Sequence, residues 1–341
     1  MLIENNPIIE ACVGKSPEAL NMLRNIQISR YYTPNITWTH EGTLYYHIPT
    51  IRPQTHIALL DIDWTVSYAQ KSLMNWDPTD IHIIPGRLET LTQLFKMGYT
   101  IVFVSNQYAV STKIRLAKME RVGNFLRLLK IPCYALLAMG KDEYRKPELG
   151  MWRKLQILIP NIKYAFFVGD ALGRPQDFSD SDKVFAQGAR IPWYSPEDFF
   201  GISPRVDLPR GGKNMVILVG MPGSGKSSWA SERSLFGYDH LQRDLLKTKF
   251  HLELKRSVKA GREGIIVDAT NPSQKDREVY YNLAHQWGYD VTVVYFIRDG
   301  SGWNKIREAD KKVPDIVYHI FFKKLDPPTQ INTPGKLYLI Y

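Results

Sequence analysis

Two aspartates close the apolar run Ile57-Ala58-Leu59-Leu60-Asp61-Ile62-Asp63-Trp64-Thr65. Side chains two apart lie on the same side of an extended segment, so both carboxylates are expected at one strand end. There Asp61 is placed to attack a phosphoryl group and Asp63 to act as general acid and base. A second apolar run, Met215 to Val219, leads into Gly220-Met221-Pro222-Gly223-Ser224-Gly225-Lys226-Ser227. A glycine-rich loop at that spacing, between strand and helix, turns backbone N–H groups toward a nucleoside triphosphate. Its lysine reaches the β- and γ-phosphates and its serine hydroxyl ligates Mg²⁺. The residues expected on ATP are Gly220, Pro222, Gly223, Ser224, Gly225, Lys226, Ser227 and Ser228. One chain thus carries the groups to remove a phosphate and the groups to add one.

Further chemistry follows each apolar run. Ser105-Asn106-Gln107 offers polar groups to phosphate oxygens, Arg145-Lys146-Pro147 a cation, and Gly169-Asp170 another carboxylate. Asp61, Asp63 and Asp170 form a hard, oxygen-only set suited to Mg²⁺, with Ser227 the expected ligand in the second site. Asp177, Asp180 and Asp182 read as a run that orients the first site. After the glycine-rich loop, Asp244 is the expected base for an acceptor hydroxyl. Asp268-Ala-Thr-Asn271 lies at the ligand edge of the sheet. Trp303–Glu308 reads as a lid, with Arg307 stabilising the transferring phosphoryl group.

These residues need elements that bring strand ends together. Strands are expected at Ile57–Leu60, Thr100–Val104, Cys133–Ala138 and Tyr164–Val168, with helices at Arg87–Met97, Thr112–Leu129 and Pro147–Leu158. The alternation restarts with strands at Met215–Val219, Gly264–Val267 and Val291–Phe296, and helices at Lys226–Ser234 and Gln274–Trp287. Short apolar strands alternating with helices argue parallel sheets covered on both faces. The expected fold is α/β in two domains. An N-terminal extension spans 1–50, with short strands or a hairpin at 35–39 and 43–48. A first parallel sheet spans 51–203, a Pro- and Gly-rich linker 204–213, and a second parallel sheet 214–341.

The 341 residues carry a formal charge of +10, net +4 in residues 1–205 and +6 in 206–341. Excess cations beside obligatory carboxylates point to a polyanionic substrate. Lys247, Lys249, Lys255, Arg256, Lys259 and Arg262 follow Asp244 and are candidates to hold a nucleic-acid backbone. Lys113, Arg115, Lys118, Arg121, Arg127 and Lys130 form a similar series, read equally well as a solvated helix face. Trp64, Trp76, Tyr108 and Trp193 are possible stacking platforms or core residues. Cys12 and Cys133 support neither a disulfide framework nor a zinc site. With no secretory signal and no membrane-length apolar stretch, an intracellular protein is expected, by default a monomer.

By Asp61-x-Asp63-x-Thr65, Ser105, Lys146 and Asp170, the first half resembles the haloacid-dehalogenase phosphatase superfamily. The resemblance implies phosphate contacts from Thr65, Ser105, Asn106 and Lys146. Trp64 stands where that superfamily usually has Gly. The first sheet is therefore expected to be haloacid-dehalogenase-like and Rossmannoid, and the second a P-loop kinase sheet. Phosphatase followed by kinase resembles the polynucleotide kinase 3′-phosphatase family of DNA end repair. Supporting segments include Arg145–Trp152, Val168–Arg174, Ser195–Phe200 and Asp268–Pro272. The resemblance implies 3′-phosphate removal through an aspartyl-phosphate on Asp61 and ATP-dependent phosphorylation of 5′-hydroxyl ends. Products of that kind feed a DNA ligase. The roughly 50 leading residues are too few for the forkhead-associated domain of the animal enzymes, so none is expected. The alternatives are an RNA-end kinase/phosphatase, a small-molecule phosphatase fused to a nucleoside or metabolite kinase, and an idle end-binding scaffold.

Overall fold

The computed structural model describes residues 34–70, 77–201, 206–209, 211–298, 300–309 and 312–341. Cys12, Trp76 and part of the expected linker lie outside them. Cα packing divides the chain into two units, Met1–Ile202 and Ser203–Tyr341.

The strands of the first unit are β1 (Thr39–Glu41), β2 (Leu44–His47), β3 (His56–Leu60), β4 (Ser67–Tyr68), β5 (His82–Ile83), β6 (Tyr99–Asn106), β7 (Cys133–Ala138), β8 (Tyr164–Val168) and β9 (Trp193–Tyr194). Its helices are α1 (Arg87–Lys96), α2 (Thr112–Leu129), α3 (Gly150–Leu158), α4 (Ser181–Gly188) and α5 (Pro196–Phe200). Seven strands form one sheet in the order β1-β2-β7-β6-β3-β8-β9. Alternate residues of β3 serve different cores: Ala58 and Leu60 pack into one, Ile57 and Leu59 into the other. Burial on both faces explains the unbroken apolar run.

Strand β3 pairs in parallel with β6 on one side and β8 on the other, Leu60 lying opposite Phe103 and Val168. The chain passes to opposite sides of β3, which makes its carboxyl end a switch point where loops diverge around a crevice. The sheet is not purely parallel. β2 pairs antiparallel with β7 and carries β1 at the edge, so the sheet begins before residue 51.

The second unit contains β10 (Asn214–Gly220), α6 (Lys226–Ser234), β11 (Tyr238–Gln242), α7 (Arg243–Leu246), α8 (Phe250–Lys259), β12 (Gly264–Asp268), α9 (Gln274–Trp287), β13 (Asp290–Phe296), α10 (Ser301–Lys305), α11 (Asp315–Lys324) and β14 (Lys336–Ile340). Its sheet, ordered β11-β12-β10-β13-β14, is parallel throughout. All seven residues of the central strand β10 are buried. The expected Gly264–Val267 strand gains Asp268 at its end. The edge strands β11 and β14 were not anticipated: Asp239, His240 and Gln242 break any apolar pattern in the first, and Lys336 opens the second at a solvent edge.

Candidate active sites

Asp61 emerges from β3 and stays anchored to the sheet through its backbone N–H, which donates to Val168 O at 2.9 Å. Its side chain is 11% exposed and its carboxylate faces the Lys146 ammonium at 2.7 Å. The same ammonium sits 2.7 Å from Asp182, so one buried cation bridges two carboxylates. Oxygens of Asp61, Asp170 and Asp182 lie within 4.8 Å of one another. Burial, together with Asp182 and Asp63, pushes Asp61 up to about 7 against the opposing pull of Lys146. Burial and the same crowding of carboxylates raise Asp170 well above its usual range. Burial would lower the Lys146 ammonium, but Asp182 and Asp61 more than offset it and hold the group above its ordinary pKa.

The expected phosphate ligands divide. Ser105 is buried and accepts from the Gln107 amide at 3.0 Å. Thr65 is wholly buried and turns its hydroxyl toward Asp170 at 3.5 Å. Asn106 is a correction. Its amide donates to Lys146 O and its carbonyl accepts from Lys146 N, both at 2.9 Å, so the side chain holds the backbone of the cationic residue instead of facing phosphate. The expected metal set comes together only in part at its carboxylates. The Asp63 carboxylate stands outside the acidic group, held by Arg121 at 2.9 Å and by Gln107 at 2.7 Å. Asp182, expected only to orient the site, joins the group in its place.

In the second unit, β10 ends at Gly220, and the loop reaches α6 through left-handed Gly223 and Gly225. A side chain at Gly223 would strike Gly300 O. The Lys226 ammonium folds into its own loop, donating to Met221 O at 2.6 Å and to Ser224 Oγ at 3.4 Å. Burial lowers Lys226 to about 8, with Asp268 and Asp244 raising it and Arg307 lowering it. Those three charges therefore act on the loop lysine. Asp268 is paired with His240 at 2.9 Å, and Ser227 Oγ accepts from Gln242 at 3.3 Å. Asp244 and Arg307 are exposed. The turn bearing Arg307 is clasped by Asn304, which donates to Val313 O at 2.7 Å and accepts from Val313 N at 2.8 Å.

The basic series differ. Lys247, Lys249, Lys255, Arg256, Lys259 and Arg262 are all exposed. On α2, Lys118 and Arg121 are buried, which corrects their place in a surface track, while Lys113, Arg127 and Lys130 remain exposed.

Residues 56–200 match the family model described as polynucleotide kinase 3 phosphatase, and residues 215–314 match one described as an AAA domain. A bifunctional polynucleotide phosphatase/kinase of Schizosaccharomyces pombe is 27% identical, covering 72% of this chain and 69% of its own length. A putative bifunctional polynucleotide phosphatase/kinase of Acanthamoeba polyphaga mimivirus is 25% identical, covering 89% of each chain. An uncharacterized 20.8 kDa protein of Autographa californica nuclear polyhedrosis virus is 34% identical over 43% of this chain and 86% of its own. The chain is similar along most of its length to bifunctional polynucleotide phosphatase/kinases, and its residues 56–200 match the polynucleotide kinase 3 phosphatase model.

Two features of the phosphatase-like unit escaped the sequence. Trp64 has φ of 60°, a left-handed conformation that glycine takes freely, which gives a physical reason for the usual Gly at this turn. The structural importance of Gly169 was also hidden. A Cβ there would overlap the Asp182 carboxylate and the Phe167 ring, so glycine is what lets Asp182 close on Lys146.

Proposed function

We propose that this chain is a bifunctional DNA end-processing enzyme that removes 3′-phosphates and phosphorylates 5′-hydroxyls with ATP. RNA ends are the alternative polymer. The observation that carries the reading is the pairing, in one chain, of Asp61 on a buried lysine with Lys226 in a phosphate-cradling loop.

In the phosphatase unit, an Asp61 oxygen attacks the 3′-phosphate and the bond from phosphorus to the 3′-oxygen breaks. Asp63 gives its proton to that oxygen and later takes one from the water that hydrolyses the aspartyl-phosphate. Lys146 neutralises the phosphate as it approaches, while Thr65 and Ser105 line the crevice. Asp61, Asp170 and Asp182 fit a divalent ion: their oxygens lie within 4.8 Å of one another while Lys146 pairs with only two of them, and a set of oxygen donors only suits Mg²⁺. When bound, the ion screens these carboxylates from one another and from the substrate.

In the kinase unit, Asp244 takes the proton of the 5′-hydroxyl, whose oxygen attacks the γ-phosphorus of ATP as ADP leaves. Lys226 and Arg307 stabilise the charge of the transferring group, and Ser227 would hold Mg²⁺ on the nucleotide. The backbone N–H groups of Gly223, Gly225 and Ser228 are assigned to the phosphates, with Gly220, Pro222 and Ser224 shaping the loop, since the N–H of Gly220 donates to Thr270 O and that of Ser224 to Met221 O. The six exposed cations from Lys247 to Arg262 are assigned to the acceptor strand. The proposed domains are 51–203 for the phosphatase, extended by β1 and β2, and 214–341 for the kinase, with 204–213 as linker.

The products, a 3′-hydroxyl and a 5′-phosphate, are what a ligase joins, and we place the enzyme upstream of one. Among the described residues no helix is long and apolar enough to cross a membrane. We propose a monomer acting inside the cell. The test is phosphate release from a 3′-phosphorylated oligonucleotide against a panel of sugar phosphates. Preference for the oligonucleotide is expected; preference for a sugar phosphate would replace this reading with the metabolite one.

A further inference from the structure

Arg121 lies in the middle of α2, on a helix expected to offer its cations to solvent. Instead its side chain is 5% exposed and its Nη1 donates to Asp63 Oδ1 at 2.9 Å. The other oxygen, Oδ2, accepts from the Gln107 amide at 2.7 Å. Both oxygens of the acid/base candidate are thus gripped from outside its own loop, and from two different elements. A partly exposed carboxylate on a turn has two side-chain torsions free; two donors on opposite oxygens fix both.

The donors are themselves held. α2 is capped by Ser111 and buries Val122, Phe125, Leu126 and Leu129 around Arg121. Arg121 Nε also faces Asp80 O at 3.4 Å. Gln107 continues β6, its N–H donating to Ala138 O at 2.8 Å and its amide sharing Ser105 Oγ. Rigid supports on packed elements are what a reacting group needs to stay in productive geometry. Each carboxylate oxygen keeps a second lone-pair direction for the proton it exchanges.

We infer that Arg121 and Gln107 are positioning residues that aim Asp63 at the leaving 3′-oxygen. The inference rests on the acid/base reading of Asp63. It accounts for a cation buried beside the site yet absent from the acidic cluster, where Lys146 alone bridges Asp61 and Asp182.

Leaving-group dependence separates aiming from mere structural support. A 3′-alkoxide must be protonated as it departs, whereas nitrophenolate leaves without a proton. The full-length protein is compared as wild type, Arg121→Ala, Arg121→Lys, Gln107→Leu and Asp63→Asn. The substrates are a 3′-phosphorylated oligonucleotide and p-nitrophenyl phosphate, the latter read as the initial burst of nitrophenol. Arg121→Ala and Gln107→Leu are expected to slow oligonucleotide turnover about 10- to 100-fold while changing the burst rate less than about threefold. Arg121→Lys, which keeps a donor cation, recovers most of the loss.

Equal losses on both substrates, or no loss on the oligonucleotide, overturn the inference. Gln107→Leu decides the matter alone if Arg121→Ala does not fold. If Asp63→Asn lacks the leaving-group signature, the acid/base reading itself fails. If Asp63→Asn shows it and neither positioning variant does, only the positioning role fails.

Discussion

Gly169 shows how much of the phosphatase site hangs on one absent methyl. Asp182 reaches Lys146 across the space a Cβ would fill, and Phe167 closes the other side of that space. Gly169→Ala is expected to displace Asp182 and leave Lys146 unevenly paired. Overpacking of this kind costs about 1–3 kcal/mol, and phosphate release should fall more than about tenfold with 5′-kinase activity unchanged. Thermal unfolding and the two activities, measured on one preparation, check it. The residue scale is also where the sequence was most and least informative. Asp61 and Asp170 were legible because each follows a strand in the expected order; Lys146 was expected to open a helix, but it lies in the turn before α3, which begins at Gly150 and not at Pro147. Asn106 and Asp182 depart from expectation because spacing along the chain does not say where an amide or carboxylate turns. Only the packing of α4 brings Asp182 back over Gly169.

Helix α2 was read with the bounds it has, yet its charges were assigned to the wrong medium. A cation every three or four residues looks solvated in sequence, and nothing local reveals that Lys118 and Arg121 face the site. Burial lowers Lys118 to about 8, against a raising contribution from Asp63. Its ammonium donates to Tyr108 O at 2.7 Å. With the native pKa below that of the unfolded chain, the unfolded state binds more protons between about pH 8 and 10.5, so this group makes stability rise with pH there. Lys118→Met should flatten that rise in denaturant unfolding followed from pH 7.5 to 10.5; an unchanged slope would remove Lys118 as its source.

Helix α8, which was not anticipated from the sequence, turns its cations to solvent. Phe250, Leu254 and Val258 are buried while Lys255, Arg256 and Lys259 are exposed. Phosphate contacts release counterions, so oligonucleotide affinity in the kinase reaction should fall steeply with salt. Neutralising Lys255, Arg256 and Lys259 together should flatten that slope by about two to three in log–log terms. Equal slopes would move the nucleic-acid track elsewhere. The edge strands β11 and β14 were not legible because a sheet margin needs no continuous apolar run, unlike β3 and β10, which are covered on both faces.

At the scale of the whole molecule, two α/β units each present a site at the ends of parallel strands, one acidic and one rich in backbone N–H groups. Their chemistries are opposite and their residues do not overlap, which is why the order of motifs said more than either alone. Separate sites imply separable activities. The most direct measurement scores 3′-phosphate loss and 5′-phosphate gain on the same gapped duplex for wild type, Asp61→Asn and Lys226→Ala. Asp61→Asn should lose 3′-phosphatase activity by at least about 100-fold, an amide being a poor nucleophile, and keep its kinase. Lys226→Ala should lose kinase activity on a similar scale, about 100-fold, and keep its phosphatase. A folded variant that lost both activities, or neither, would contradict the two-site account.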